Sequence, residues 1–393
     1  MGDRLREVLG RQSDCIEGVL RAHRIPGRVT GGTVTPFGVR FRVLPAVGAS
    51  VSRIKQLEAD LADALGVGTC RVARRGAAVE LDIPRDQPRP VRLLNLLQQL
   101  ETDEIPPVTA ILGVAEDGSP LLIRLPSPDV GHVLVAGAAE SGKTSLLQSM
   151  VLSLAMMNGP DHVKIMLMAL RGNGFGPFDG LPHLARPTIQ GPTEAEEALQ
   201  SLVRLVERRR KVPVREPGRP RAEGPVVAVI DDLGGLLASS KEASRSLAQL
   251  LERGRAASVH VVAALQLAGA MTTQLLAKAE FPGMASIPVR LIGRVESASD
   301  GRFVGGQLGA GAARLRGRGD FLGIIMFVPG TAEGHVTRFQ AAYVTPGEIN
   351  EAVMGLSQCA VSRSRKIVDR PQRSRRPAPA PTTLAAARRA AGR

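Results

Sequence analysis

Residues 137–144 read Gly-Ala-Ala-Glu-Ser-Gly-Lys-Thr, and this octapeptide leaves the surrounding chain few ways to fold. Gly137 and Gly142 let the backbone curl so that amide N–H groups turn inward, the geometry of a loop that cradles phosphate oxygens. The apolar run His132-Val133-Leu134-Val135-Ala136 leads in as a strand, and Ser145-Leu146-Leu147-Gln148-Ser149-Met150 leads out as a helix. The helix N-terminus adds the positive end of its dipole. Lys143 is placed to reach β- and γ-phosphates, and the Thr144 hydroxyl is placed to ligate Mg²⁺. Gly137, Ala138, Ala139, Glu140, Ser141, Gly142, Lys143, Thr144 and Ser145 therefore form a candidate site for ATP with Mg²⁺.

Around this loop the pattern alternates strand with helix. A helix over 143–157 is followed by an apolar strand over 163–169 and a Gly-rich loop over 172–180. Next come a helix over 193–211, a Pro-rich connector over 213–224 and a strand over 226–230. A helix over 241–256 and a strand over 259–265 complete the run. Such alternation predicts an α/β fold with a doubly wound parallel sheet. Upstream, a helix over 4–23, alternating segments over 33–44, 70–73 and 79–83, and a helix over 52–65 predict a small α+β domain. A further helix over 91–101 leads to Pro106-Pro107, a boundary signal, and 109–125 reads as a hairpin about Glu116-Asp117-Gly118-Ser119. The expected organisation is a small domain over 1–107, the phosphate-loop domain over 108–357 and a basic, disordered tail over 358–393, with a short helix over 383–391 inside it.

The strand Val226-Val227-Ala228-Val229-Ile230 ends in Asp231-Asp232. Asp231 at the strand edge is the candidate metal-shell carboxylate, and Asp232 the candidate for polarising an attacking water. The same pair also suits a turn before Gly234-Gly235. One whole strand separates the two motifs, the order of motor-type (RecA-like, ASCE) phosphate-loop ATPases rather than of small GTPases. Gln266, at the tip of the following strand, is placed to sense a γ-phosphate or cap the surface. Arg253 and Arg255 precede that strand, where a cation either complements a helix end or stabilises transition-state charge at a neighbour's ATP.

The 393 residues carry a net charge of +14, which points to a polyanionic partner. From Cys359 onward, nine Arg and one Lys stand against Asp369, so the last segment holds +9 of that charge. Aromatics make up only 3%, with no Trp and one Tyr. Single-strand binders stack bases on aromatic rings, so a duplex gripped by its phosphates is the better expectation. Cys15, Cys70 and Cys359 are scattered and odd in number, which reads as cytosolic thiols. No apolar run spans a bilayer and no signal-peptide pattern opens the chain, so the expectation is a cytoplasmic protein without membrane insertion.

Several segments in one order carry a resemblance. The phosphate loop is followed by Leu181-Pro182-His183-Leu184, Glu207-Arg208-Arg209, the Asp231-Asp232 strand and Arg255-Ala256-Ala257-Ser258-Val259-His260. Gln266, Ile287-Pro288-Val289-Arg290 and Gly317-Arg318-Gly319-Asp320 complete the series. Together they resemble the FtsK/SpoIIIE family of hexameric double-stranded DNA translocases, over roughly residues 28–355. Gly32-Thr33-Val34-Thr35, Ser52-Arg53-Ile54 and Asp60-Leu61-Ala62 resemble the small domain that precedes the family motor. The resemblance implies a homo-oligomeric ring, a hexamer, that couples ATP hydrolysis to movement along duplex DNA. Arg255 falls on the arginine-finger position, which acts across the subunit interface, and Gln266 on the sensor glutamine. Lys278 matches a pore-region lysine, and Arg302 an arginine that meets the DNA backbone. Solvated surface charge is the competing reading of the last two.

The chain departs from the family pattern at informative places. Asp232 stands where Glu is usual, one methylene shorter. Ala169-Leu170-Arg171 replaces Asp-Pro-Lys, Leu267 replaces an arginine, and Ala298 replaces a basic pore residue. The family's membrane anchor and winged-helix reader are not evident, so recruitment by a protein partner is one expectation. Two rival readings stay open: an ATPase that moves protein, like the FtsK-related ATPases of type VII secretion, and a nucleotide-dependent scaffold with weak hydrolysis.

Overall fold

Alternate residues of the central strands serve opposite layers, so each strand must be covered on both faces. The computed structural model describes residues 2–46, 49–76, 78–85, 87–101, 104–211, 224–267, 286–326 and 334–368. A helix α1 (Gly2–Ala22) opens the chain, followed by strands β1 (Gly27–Thr35) and β2 (Gly38–Pro45). Helices α2 (Val51–Gln56) and α3 (Glu58–Leu65) and strands β3 (Arg71–Arg75) and β4 (Ala78–Pro84) follow. These strands form one antiparallel sheet in the order β1-β2-β4-β3. Its core joins Ile16 and Leu20 of α1 to Phe41, Val43, Ile54, Leu61, Val72, Val79 and Leu81.

The second sheet begins with β5 (Val91–Arg92), α4 (Leu93–Gln99), β6 (Thr109–Ala115), β7 (Pro120–Arg124) and β8 (Val133–Gly137). It continues through α5 (Lys143–Met157), β9 (Lys164–Ala169), α6 (Pro192–Lys211), β10 (Val226–Asp231), α7 (Leu233–Ser239), α8 (Lys241–Arg253) and β11 (Val259–Gln266). Last come β12 (Val289–Gly293), α9 (Ala298–Gly309), β13 (Asp320–Ile325), β14 (His335–Tyr343) and α10 (Pro346–Val368). The strand order is β7-β6-β14-β13-β12-β8-β11-β10-β9, with β5 beside β14. From β12 to β9 the pairings are parallel, whereas β13, β14, β6 and β7 add on antiparallel.

Val133, Val135, Val227, Val229 and Val262 face one layer with Leu146, Leu147, Met150 and Leu154 of α5 and Ile349 and Val353 of α10. Their neighbours Leu134, Ala136, Ala228, Ile230, Val261 and Ala263 face the other layer, with Leu199 and Leu202 of α6 and Leu247 and Leu250 of α8. Fully burying each Val, Leu, Ile or Met of these layers contributes about 2 kcal/mol. The period-2 split fixes the register, since a one-residue slip would exchange the two faces.

The α/β expectation holds, with corrections. The sheet is mixed, because β13 pairs antiparallel with β12 at the edge of the parallel block and β14 pairs antiparallel with β13. The segment read as one alternating stretch over 33–44 is a hairpin that turns at Pro36-Phe37. The helix expected over 52–65 breaks at Leu57, and the one over 91–101 starts only at Leu93, after Val91 and Arg92 pair with β14. Helix α10 runs to Val368, eleven residues into the segment read as a disordered tail, because Ile349 and Val353 anchor it on the sheet. Residues 369–393, including the helix expected over 383–391, lie outside the described residues.

The two sheets meet at Arg338 on β14. Its guanidinium forks onto Asp320, with Nε to Oδ1 at 3.0 Å and Nη2 to Oδ2 at 2.8 Å, and lies 4.4 Å from the Phe37 ring centroid. Asp320 is fully buried. Replacing Asp320 by Ala leaves a half-buried guanidinium without its fork, so urea unfolding should show stability lower by about 3 kcal/mol.

Candidate nucleotide-binding site

The phosphate loop joins β8 to α5 at the C-terminal edge of the parallel strands, where such sheets form ligand crevices. Glu140 and Gly142 take left-handed backbone angles, φ 59° and 102°, which curl the loop over the first turn of α5. A Cβ at Gly142 would sit 3.0 Å from the Gly319 nitrogen, so glycine is needed for that close approach. Lys143 Nζ donates to the Gly137 and Ala138 carbonyls at 3.2 and 2.8 Å. The ammonium is thereby held at the centre of the loop.

Thr144 Oγ1 donates to Asp231 Oδ2 at 2.9 Å, joining the two nucleotide motifs across 87 residues. Burial raises the pKa of the Asp231 carboxyl, against the pull of the Thr144 hydrogen bond and the Lys143 charge. Burial also lowers the pKa of Lys143, against Asp231 and Asp232. A hydroxyl and a carboxylate at hydrogen-bond distance beside an inward-facing loop suit a Mg²⁺–ATP donor set. Gln266, paired in register with Gly137, lines the same cleft as Lys143, Thr144, Asp231 and Asp232.

Asp232 accepts a capping hydrogen bond on Oδ1, while its buried Oδ2 faces a cation without a hydrogen bond. It sits at φ 71° as the N-cap of α7 and accepts from the Gly235 nitrogen at 3.0 Å through Oδ1. Its Oδ2 lies 2.8 Å from Nε of the largely exposed Arg171. Arg171, Arg318 and Arg209 carried no role in the sequence reading. Arg318 Nη2 donates to Ser145 Oγ at 3.0 Å on the rim of the cleft. Buried Arg209 donates to the Ala257 and Gly224 carbonyls at 2.9 and 2.8 Å and ties down the turn that carries Arg255. For Arg318 and Arg209 the repeated motifs around them were the available signal; for Arg171 only its departure from the family pattern was.

Arg255 lies elsewhere. It opens the short 3₁₀ turn Arg255–Ala257 at the N-terminal end of β11, whereas Gln266 closes the C-terminal end of that strand. Eight strand residues put roughly 25 Å between Arg255 and its own phosphate loop. Its Nη1 donates to the Pro128 carbonyl, and its stem crosses Gly131, where a Cβ would meet Arg255 Cδ at 2.9 Å. Arg253 sits near Glu252 at 3.5 Å. Arg302 is exposed on α9 and outside the cleft, and Lys278 lies outside the described residues.

His132 and His260 are buried beneath this turn with ring centroids 6.5 Å apart. The Val261 nitrogen donates to His132 Nδ1 at 3.0 Å. Burial, then the neighbouring His260 and Arg255, push the His132 pKa down to about 3. An unfolded chain binds this proton below about pH 6.5 and the folded chain does not until about pH 3, so acid favours unfolding. Stability should fall by about 1.4 kcal/mol per pH unit from this group between those limits. His132→Asn, which keeps an acceptor for Val261, should flatten that slope in denaturant titrations at stepped pH.

Comparison with known proteins places the chain in a defined context. Residues 3–85 match the FtsK alpha domain and residues 92–216 the FtsK/SpoIIIE family, together just over half of the chain. A protein named DNA translocase FtsK from Sporosarcina ureae is 29% identical over 350 residues, covering 83% of this chain and 43% of the relative. Its namesake from Corynebacterium efficiens is 29% identical over 375 residues, covering 88% and 38%. The chain thus spans less than half the length of these relatives. Among solved structures, the cytoplasmic domain of the Thermomonospora curvata type VII secretion ATPase EccC matches with a TM-score of 0.55 at 22% identity, covering 68% of this chain and 34% of that one. The pCW3 conjugation coupling protein TcpA, solved with ATPγS, gives 0.50 at 15% identity, covering 87% and 99%. These structural likenesses establish the phosphate-loop ATPase fold.

A second expected outcome concerns the loop over the metal side. A Cβ at Gly174 would meet Thr144 Cγ2 at 2.9 Å and Asp231 Oδ2 at 3.4 Å. Gly174→Ala should therefore weaken Mg²⁺–ATP binding about tenfold, the low end of an overpacking cost. Binding of ATP in excess EDTA should change much less, as calorimetry can compare.

Proposed function

Because the chain belongs to the FtsK/SpoIIIE family, we propose that it hydrolyses ATP as a ring of identical subunits, a hexamer, and couples turnover to movement along duplex DNA. The observation that carries this reading is the placement of Arg255 at the opposite end of β11 from the phosphate loop of its own subunit. At roughly 25 Å it cannot reach its own ATP. A neighbour in a ring can bring the two edges together, which makes ATP hydrolysis a property of the interface. The net charge of +14 and the scarcity of aromatic rings favour a duplex held by its phosphates.

Within one site, Lys143 holds the β- and γ-phosphates while Thr144 and Asp231 hold Mg²⁺. The metal, when bound, neutralises charge on the phosphate oxygens. Gln266 orients the water, and Asp232 takes its proton through a carboxylate that must first let go of Arg171. The partner protomer's side of the interface supplies a guanidinium at the position of Arg255. Arg302 and Lys278 are the proposed contacts to the DNA backbone. Among the described residues no helix is long and apolar enough to cross a membrane, and recruitment to DNA is assigned to a protein partner. The proposed division moves the boundary between the small domain and the motor from 107 to ahead of Val91, because β5 and α4 join the second sheet, and starts the basic tail after α10 rather than at 358.

A second reading, a nucleotide-dependent scaffold with weak hydrolysis, is favoured by one observation: Asp232 caps α7 through Gly235 and stands in an ion pair with Arg171. Arg171→Ala separates the two. Faster basal turnover in that variant means the pair restrains a competent site; unchanged slow turnover, indifferent to DNA, supports the scaffold.

The interface reading is tested by subunit mixing with duplex DNA present. Lys143→Ala and Arg255→Ala preparations should each be inactive, about 10³-fold down or more, the scale of an arginine-finger loss. Their mixture should regain turnover, because some interfaces then join an intact phosphate loop to an intact Arg255. No recovery, with oligomers formed, overturns the interface reading. Turnover that ignores duplex DNA overturns coupling to DNA.

A further inference from the structure

The segment Gly317-Arg318-Gly319 turns back onto the phosphate loop with both glycines left-handed, φ 93° and 84°. A side chain at Gly319 would meet Gln340 Nε2 at 2.6 Å. Two backbone bonds and one side-chain bond lock the turn. The Gly319 nitrogen donates to the Ser141 carbonyl at 2.9 Å, the Ala341 nitrogen to the Gly319 carbonyl at 2.7 Å, and Gln340 Nε2 to the Arg318 carbonyl at 3.1 Å. Asp320 below it is fixed by the Arg338 fork and by the Arg316 nitrogen at 3.0 Å. The turn is therefore rigid while the Arg318 side chain is exposed. Its one side-chain partner among the described residues is Ser145 Oγ, and no carboxylate neutralises it.

Strand order says which part of the nucleotide this guanidinium faces. Asp231 and Asp232 lie at the end of β10, and Gln266 at the end of β11, so the metal and γ-phosphate belong on that flank of β8. Arg318 leads into β13, which lies on the other flank, beyond β12. Ser145, its partner, is the third residue of α5, after the pair that serves the β- and γ-phosphates and the metal. We propose that Arg318 is a cis ligand of the α-phosphate, releasing Ser145 when nucleotide enters and gripping the part shared by ATP and ADP. A planar guanidinium beside a helix N-terminus suits bidentate contact with phosphate oxygens. Arg318 thus determines how tightly each subunit retains nucleotide before and after hydrolysis, whereas the γ-phosphate is read on the β10–β11 flank.

This inference rests on the nucleotide reading of the cleft. Calorimetry on the full chain with Mg²⁺, using ADP and a non-hydrolysable ATP analogue in parallel, tests it. Arg318→Gln should weaken both by a similar factor, about tenfold or more for a charge-assisted bond. Arg318→Lys should recover part of the loss, and the ligand-free melting temperature of both variants should match the parent, since the side chain is exposed. In single-site kinetics KM should rise with kcat nearly unchanged. Loss confined to the triphosphate analogue would overturn the α-phosphate assignment, and unchanged affinities would leave Arg318 as a brace on Ser145 only. Failure of the unsubstituted chain to bind either nucleotide would instead remove the nucleotide reading of the cleft itself.

Discussion

A single buried carboxylate, Asp320, holds together parts of the molecule that the chain keeps far apart. Its two oxygens take the fork of Arg338 from β14 and the backbone nitrogen of Arg316. Through Arg338 it reaches the Phe37 ring of the small sheet. Through the turn that precedes it, it reaches the Ser141 carbonyl of the phosphate loop. A carboxylate with no exposed surface tolerates no second arrangement, because any shift would strand its charge. The small antiparallel sheet, the antiparallel flank of the large sheet and the phosphate loop therefore share one fixed point.

Around the phosphate loop the charges are arranged against their own solvation. Burial raises the Asp231 pKa and lowers that of Lys143, and each opposes the other's shift through its own charge. A divalent cation beside Asp231 and a polyphosphate beside Lys143 favour the charged forms of both groups. Asp232 differs, since a capping bond holds one oxygen and the Arg171 ion pair offsets its charge without hydrogen-bonding the other. The binding half of the site is thus preorganised, while its candidate base is restrained.

The sheet also separates two kinds of arginine. Arg318 and Arg171 line the edge that carries the phosphate loop, whereas Arg255 stands on the opposite edge, above the neutral His132–His260 pair and the buried Arg209. Arg209 spends its guanidinium on carbonyls of the turn. Arg255 itself rests on the Pro128 carbonyl, a single exposed bond. A tethered turn that carries an exposed cation suits the contact in trans proposed for Arg255.

Local chemistry sufficed for the phosphate loop, for the strand ending in Asp231 and Asp232, and for the two-faced apolar strands. In each of these the residues that matter are neighbours, and backbone sterics or period-2 alternation acts on them directly. The hairpin at Pro36-Phe37 was blurred because alternation continues on both sides of a short turn. The extension of α10 to Val368 was hidden because Ala- and Arg-rich sequence reads as tail unless its start is anchored. Tertiary structure alone decided that β13 runs antiparallel beside β12, with β14 beyond it, which brings Arg318 to Ser145 across 173 residues. It also decided that Arg171 meets Asp232, and that Arg255 and Gln266 stand at opposite ends of one strand. Those outcomes depend on strand order and on hydrogen bonds between distant segments. No local pattern encodes them, because the partners become neighbours only once the sheet has formed.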